Sequence, residues 1–493
     1  MKLSQLAEKV GAEVRGDADI VGITYDSRRA RNGDLFCAIP GFRTDGHRYV
    51  EDARRRGAVA CLVEHWDAVP AGMPAMAVRQ ARAATARVAA VFFGHPSHQL
   101  WMVGVTGTNG KTTTTHLIRT ILEQALGMPT GLMGTVHTLM GSNEWHEDRT
   151  TPEAPDLQAT LRQMADFGMQ AVAMEVSSHS LSLHRVDDVA YDVGVFTNLT
   201  QDHLDFHHDF EDYFGAKAQL FERLGAGPAK GPRAAILNAD DAWAGRLVGL
   251  TRVPIISYGH AHPADVRAEA VRLGRDGAHF TAVLPNGDRA AVHLTLSGRF
   301  NVSNALAAMA VGYLRGLSAE SMAGALATQP GVPGRFEAIH CGQPYGVVVD
   351  YAHTPDGLEN MLTAIREFVR GRVILVFGAG GDRDQAKRSL MGAVAGRLTD
   401  LTVSTVDNPR SEDPEAIATQ FEAGIAQVGG RFIREMDRRR AIGLALDEAR
   451  PDDLVLIAGK GHENYQIYRD HTEHFDDREE ARAALAERGF PCR

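Results

Sequence analysis

The chain has 493 residues, of which 44% are hydrophobic and 23% charged, a size for about three domains of ordinary globular composition that excludes a small stapled scaffold, wholesale disorder and a collagen-like rod. Its net charge of -10 argues against general affinity for nucleic acid, because such binding rests on an excess of Lys and Arg. The four cysteines, Cys37, Cys61, Cys341 and Cys492, show no CxxC spacing, which speaks against a disulfide framework or a cysteine zinc site and for a reducing cytosol.

Residues 1–99 read as mixed helix and strand, with a turn-rich segment from Asp26 to Gly46 and a charged helix-like run from Val78 to Phe93. No apolar stretch is long enough for a signal sequence or a membrane span, so a cytoplasmic protein without membrane insertion is expected. His95-Pro96-Ser97 reads as a linker, which puts a first boundary near residue 99.

From residue 100 to 332, apolar strand candidates (Val103 to Thr106, Ala171 to Val176, Val193 to Thr197, Ala234 to Leu237) alternate with helix-length stretches. That rhythm predicts a largely parallel sheet covered by helices. The cluster Pro330-Gly331-Val332-Pro333-Gly334 marks a second linker. Beyond it, residues 333–493 alternate again, with strands expected at Gly346 to Asp350, Val373 to Phe377, Leu401 to Thr405 and Leu454 to Ala458. The expected fold is therefore α/β, with a central P-loop domain between two further α/β domains.

The strongest motif is Val103-Gly-Val-Thr-Gly-Thr-Asn-Gly-Lys-Thr-Thr113. A strand feeding such a turn and then a helix directs backbone N–H groups at phosphate, lets Lys111 reach the terminal phosphates and brings the Thr112 hydroxyl to Mg²⁺. The strict pattern asks for Gly where this chain has Val105. Glu175 ends one buried-looking strand, and Thr197-Asn-Leu-Thr-Gln-Asp-His-Leu-Asp-Phe-His207 follows another, so Glu175 and His203 are candidate metal partners at the strand ends. Only seven of the 52 basic residues are Lys. Those few mark candidate places where a compact or titratable amine is needed, although biased base composition would leave the same pattern.

In order, the blocks GTNGKTTTT from Gly107, AMEVSSH from Ala173, TNLTQDHLDFH from Thr197, GRFNVSNALAA from Gly298, PGRFE from Pro333, DYAHTPD from Asp350, GAGGDRDQAKR from Gly378, DNPR from Asp407 and GKGHENYQ from Gly459 resemble the Mur ligases, most closely the diaminopimelate-adding MurE type. The resemblance covers nearly the whole chain. It implies an ATP-dependent ligase that adds meso-2,6-diaminopimelate to UDP-N-acetylmuramoyl-L-alanyl-D-glutamate through an acyl phosphate, in peptidoglycan precursor synthesis, with small-molecule partners only and a monomeric state.

Residue by residue, the resemblance assigns ATP to Gly107, Thr108, Asn109, Gly110, Lys111, Thr112, Thr113, Asn301, Asn304, Arg335 and Asp350. It assigns Mg²⁺ to Thr112, Glu175, His203 and Lys217, the last as the carbamate (N6-carboxylysine) formed with CO₂. The UDP-sugar dipeptide falls to Ser27, Phe42, Arg43, Thr44, Thr150, Thr151, Ser177 and Arg185, and diaminopimelate to Arg388, Asp407, Asn408, Pro409, Arg410, Gly459 and Glu463. Arg410 would pair the distal carboxylate that lysine lacks. Leu183 and Ser389 depart from the usual Gln and Pro. Two other readings stay open: a folylpolyglutamate synthetase-like ligase sharing the P-loop and the last two domains, and a nucleotide-driven switch.

Overall fold

The computed structural model describes residues 1–42, 44–145, 149–203, 206–261, 263–274 and 276–492. Three large sheets occupy three successive stretches of chain, and a two-stranded sheet pairs Tyr465–Ile467 with Thr472–His474. The first has five strands in the order Glu13–Arg15, Ala75–Ala77, Ala60–Val63, Asp34–Cys37, Gly22–Thr24, parallel except for the first pair. The expected helix appears at Ala81–Phe92.

The second sheet has eleven strands, and its middle is parallel: Thr130–Met133, Ala171–Glu175, Trp101–Thr106, Val193–Phe196, Ala234–Asn238, Ile255–Gly259 and Val266–Gly274 lie side by side. Five of these, beginning at Trp101, Thr130, Ala171, Val193 and Ala234, are buried along their whole length. That is why the four expected strands among them read as unbroken apolar runs, since helices cover both faces of a parallel sheet. Both edges are antiparallel, with Gly277–Val283 and Arg289–Leu294 on one side and Thr138–Met140 and Asn143–Trp145 on the other. The expectation of strand and helix alternation missed these edges, because half-exposed hairpin strands carry alternating polar residues that look like loop.

Strand Trp101–Thr106 is the first laid down in this sheet and sits between Ala171–Glu175 and Val193–Phe196. The strand order reverses about it, the position at which open α/β sheets open a crevice at their carboxyl ends. The helix Lys111–Leu126 that follows packs against Arg299–Leu314, eleven of whose residues are buried. A helix apolar on nearly every side has to be enclosed, and this one forms the floor of the largest core cluster.

The third sheet runs Glu337–Ala338, Gly346–Asp350, Leu454–Ala458, Val373–Phe377, Leu401–Ser404, Phe432–Arg434, parallel after the first strand. One expectation is overturned here: Cys341 and Cys492 form a disulfide, with Cα atoms 4.3 Å apart and a sequence separation of 151. The reading against disulfides looked for local spacing. This pair arises because the chain end beyond helix Asp477–Glu487 folds back on the sheet, where Phe490 meets Tyr345 edge-on at 6.4 Å. Cys37 and Cys61 are free and buried.

Candidate functional site

The carboxyl ends of the central strands carry the phosphate loop. Gly107, at φ +152°, lies so close to its neighbours that a Cβ would come within 1.8 Å of Thr197 Oγ1, so the turn tolerates no side chain. The loop is braced from the turn after strand Val193–Phe196 and from helix Phe210–Glu222: Asn198 O accepts from Thr108 N at 2.9 Å, Asn198 Oδ1 from Asn109 N at 2.9 Å, and Thr108 Oγ1 lies 3.2 Å from Tyr213 OH. Gly110, at φ +84°, caps the helix that starts at Lys111.

Two lysines converge on this loop. Lys111 Nζ folds back onto the carbonyls of Gly107 and Thr108, at 3.0 and 2.8 Å, and Lys217 Nζ donates to Gly107 O at 2.8 Å. Lys217 comes from helix Phe210–Glu222, is 1% exposed, and lies over the Tyr213 ring. Burial lowers the basicity of both amines, and of Lys217 by far. The Lys111 charge lowers Lys217 further. Arg335, beyond the Pro330 linker, donates from Nη2 to Thr112 Oγ1 at 3.0 Å.

Glu175 is 1% exposed, and its carboxylate accepts from Thr135 N at 2.8 Å and Thr135 Oγ1 at 3.1 Å. His203, at φ +55°, stands beside His179 with ring centroids 4.7 Å apart. Burial pushes its imidazole down to about 3, so it is neutral, the form that ligates metal. Its neighbour Asp202 is raised by burial but brought below the usual range by His203 and Lys387, whose Nζ lies 2.5 Å from Asp202 Oδ1. Thr112, Glu175 and His203 offer hydroxyl, carboxylate and imidazole donors that suit Mg²⁺. Lys217 fits such a site as an anion and not as an ammonium.

A cleft of about 510 Å³ spans the central and third sheets. Thr150, Thr151, Ser177, Arg185 and His203 line one wall, and Arg388, Asp407, Asn408, Arg410, Gly459 and Glu463 the other. On the first wall, Thr151 Oγ1 donates to Glu175 O at 2.9 Å, and Arg185 donates to Thr151 O at 3.2 Å while pairing with Glu153 at 3.0 Å. On the second, Asn408 Nδ2 donates to Glu463 Oε2 at 2.8 Å. Gly459, at φ +111°, leaves room for Asp407, whose Oδ2 would stand 2.8 Å from a Cβ there.

The two arginines on that wall differ. Arg388 is 1% exposed and already engaged: Glu412 accepts from both Nη1 and Nη2, at 2.9 and 2.8 Å, and Gln420 Oε1 accepts at 2.9 Å. Arg410 donates only to the carbonyls of Gly381 and Asn408, at 2.7 and 3.5 Å, and has no ion pair among the described residues. Pro409 does not line the cleft; its carbonyl packs on Gly381, where a Cβ would come within 1.9 Å.

A separate cavity of about 210 Å³ holds Asn109, Gly110, Thr113, Asn301, Asn304, Arg335 and Asp350. Asn301 Nδ2 donates to Ser297 O at 2.8 Å, and Asn304 Nδ2 to Asn301 Oδ1 at 3.1 Å. The Asp350 carboxylate accepts from Phe336 N and Ala352 N, both at 2.7 Å, and burial raises its pKa.

Ser27, Phe42 and Thr44 do not line the cleft. Ser27 is buried and bonded to Asp52, and Thr44 Oγ1 lies 3.0 Å from Tyr49 OH within the first domain. Phe42 is 76% exposed and reaches toward the central domain, edge-on to Phe206 at 5.8 Å. Arg43 lies outside the described residues.

Several participants escaped the reading of the sequence. Asp356, at the start of helix Pro355–Phe368, accepts from Asn109 Nδ2 at 2.7 Å and Thr200 Oγ1 at 2.9 Å, tying the third domain to the phosphate loop. Asp202 and Lys387 make a second tie, and Glu412 holds Arg388. Asp356, Asp202 and Lys387 all lie inside the quoted motif blocks, where a carboxylate or amine unclaimed by ligand was the available signal.

Three family profiles match in succession: the Mur ligase family catalytic domain at residues 19–101, the Mur ligase middle domain at 105–312, and the Mur ligase glutamate ligase domain at 334–461. The chain belongs to the Mur ligase family. Within it, the chain is similar to the UDP-N-acetylmuramoyl-L-alanyl-D-glutamate--2,6-diaminopimelate ligases of Geobacter metallireducens, 46% identical with 99% of each chain covered, and Geobacillus kaustophilus, 47% identical with 96% of each covered. A solved structure of a ligase of the same description aligns with a TM-score of 0.66 at 32% identity over 95% of both chains. The Mycobacterium tuberculosis folylpolyglutamate synthase shares the fold alone, with a TM-score of 0.62 at 18% identity over 76% of this chain and 91% of that one.

Proposed function

We propose that the chain joins meso-2,6-diaminopimelate to UDP-N-acetylmuramoyl-L-alanyl-D-glutamate at the expense of ATP, in cytoplasmic peptidoglycan precursor synthesis. The observation that carries this reading is the single cleft in which Thr151, Ser177 and Arg185 face Asn408, Arg410 and Glu463. An acceptor carboxylate and a donor amine need to meet in one such space beside a phosphate loop. The nucleotide-switch reading requires no second wall of this kind.

In this reading adenosine takes the cavity beside Asn301, Asn304 and Asp350, and the triphosphate lies along the loop. Lys111 leaves the carbonyls of Gly107 and Thr108 for the β- and γ-phosphates, and Arg335 swings from Thr112 to the γ-phosphate. The dipeptide carboxylate, aligned through Thr151, Ser177 and Arg185, attacks the γ-phosphorus in line, ADP leaves, and an acyl phosphate results. The neutral amine of diaminopimelate attacks the acyl carbon, phosphate departs, and the amine gives up its proton. Neutralising charge and aligning repelling anions is most of the task, so these positive side chains are the main contributors.

Mg²⁺, held by Thr112, Glu175, His203 and Lys217, would screen the phosphate charge. Lys217 suits this role once modified: its depressed basicity leaves a neutral amine that adds to CO₂, releases a proton and becomes a carbamate anion. Arg410, which has no carboxylate of its own, is suited to the distal carboxylate of diaminopimelate, and Glu463 to its ammonium. Ser27, Phe42, Arg43 and Thr44 fit the uridine end of the substrate on the first domain. No helix among the described residues is long and apolar enough to cross a membrane.

Purified protein with ATP and Mg²⁺ should release phosphate only when the nucleotide dipeptide and diaminopimelate are both present. Equal turnover with L-lysine would overturn the assignment of the amine.

A further inference from the structure

Lys460 is 0% exposed and lies directly beneath the amino-acid wall of the cleft, in a chain that uses Arg for most of its positive charges. Its Nζ donates to Tyr465 O at 2.5 Å and to Asn408 Oδ1 and Glu463 Oε2, both at 3.4 Å. Asn408 is thereby fixed at both ends of its amide. Oδ1 accepts from Lys460 and from Ile467 N at 3.0 Å, which leaves Nδ2 to donate to Glu463 at 2.8 Å.

We propose that Lys460 is a positioning residue of the amino-acid pocket: its buried ammonium orients Asn408 and Glu463 and supplies the charge that lets Glu463 meet the incoming diamino acid as a carboxylate. This rests on the reading of Asn408 and Glu463 as amino-acid contacts. Such a device is needed because Glu463 is in poor surroundings for an anion. Burial and the nearby Asp407 carboxylate raise its pKa, and Lys460 and the Asn408 amide oppose them. The other groups that interact with it are Tyr351 at the end of strand Gly346–Asp350, Tyr465, and Arg438 of helix Arg438–Glu448, whose charge is committed to Asp477 at 2.7 Å. Lys460 is thus the cation placed to keep Glu463 ionised before substrate arrives.

In the full-length enzyme, Lys460→Met should raise KM for diaminopimelate about tenfold at neutral pH, as expected for loss of a charge-assisted contact. The rise should grow as pH falls, because Glu463 then takes up a proton, and KM for ATP should stay within about twofold. In a Glu463→Gln background the same substitution should add little, since the charge it serves is gone. If Lys460→Met fails to fold, Lys460→Gln keeps a donor for Tyr465 O and removes the same charge. An unchanged KM, or a rise that ignores pH and persists in the Glu463→Gln background, would overturn the proposal. If the unsubstituted enzyme does not consume diaminopimelate, the functional reading itself fails, and that is seen before any variant is made.

Discussion

On the phosphate side of the cleft, Lys111 and Lys217 donate only to backbone carbonyls, whereas on the amino-acid side Arg388, Arg438 and Lys460 are matched with Glu412, Asp477 and Glu463. Lys111 is half-buried and the other four are buried, so both sets meet the desolvation that disfavours an isolated charge. The matched cations answer to carboxylates of the fold: the fully buried Arg438–Asp477 pair also reaches the carbonyls of Val406 and Ala458, just before DNPR and GKGHE. The two phosphate-side amines have no bonded carboxylate among the described residues; in the proposed reading Lys111 meets phosphate and Lys217 meets CO₂. Arg410 breaks the symmetry, because it sits among matched cations with only carbonyls for partners.

The largest expected effect tests whether the phosphate side needs a cation at Lys217 or an anion made from it. Lys217→Ala should lower kcat by about 10²-fold or more, the scale of losing a preorganised electrostatic contact. Lys217→Arg, which keeps the charge but cannot lose its proton, should fare no better. Activity retained by the Arg variant in a phosphate-release assay would mean that positive charge alone suffices. Next in size, Arg410→Met should raise KM for diaminopimelate by about 10- to 100-fold, a charged hydrogen bond of about 1.5–3 kcal/mol. Its turnover with L-lysine should be nearly unchanged, so the ratio of the two kcat/KM values collapses; parallel loss with both amines would return Arg410 to the scaffold.

The smallest effect concerns His116, one turn along the phosphate-loop helix, where burial pushes the imidazole down to about 3. The unfolded chain takes up a proton near 6.5 while the folded one does not, so this site leaves stability whole above that pH and erodes it as pH falls toward about 3. By pH 5 the erosion should reach about 2 kcal/mol. His116→Gln should flatten the decline of Tm between pH 6.5 and 5; an identical slope would show that the acid sensitivity lies elsewhere.

The strands at Gly346–Asp350, Val373–Phe377 and Leu454–Ala458 fall where apolar runs predict them, because a doubly covered strand leaves an unbroken hydrophobic signature. The phosphate loop was equally legible, since its geometry depends on glycines and one lysine at fixed spacing. The antiparallel edge strands and the Cys341–Cys492 pair were not, because each depends on partners far along the chain.

The sequence by itself determined the α/β class, the phosphate loop and the order of the motif blocks, all of which rest on local spacing and periodicity. Only the tertiary structure decided which of those charges are already spent. Arg388 and Arg410 are both arginines in quoted motifs, but folding places Glu412 against the first and carbonyls against the second. Electrostatic pairing depends on distances of a few ångströms between residues as far apart as Asp202 and Lys387, 185 positions along the chain, and no local pattern encodes that.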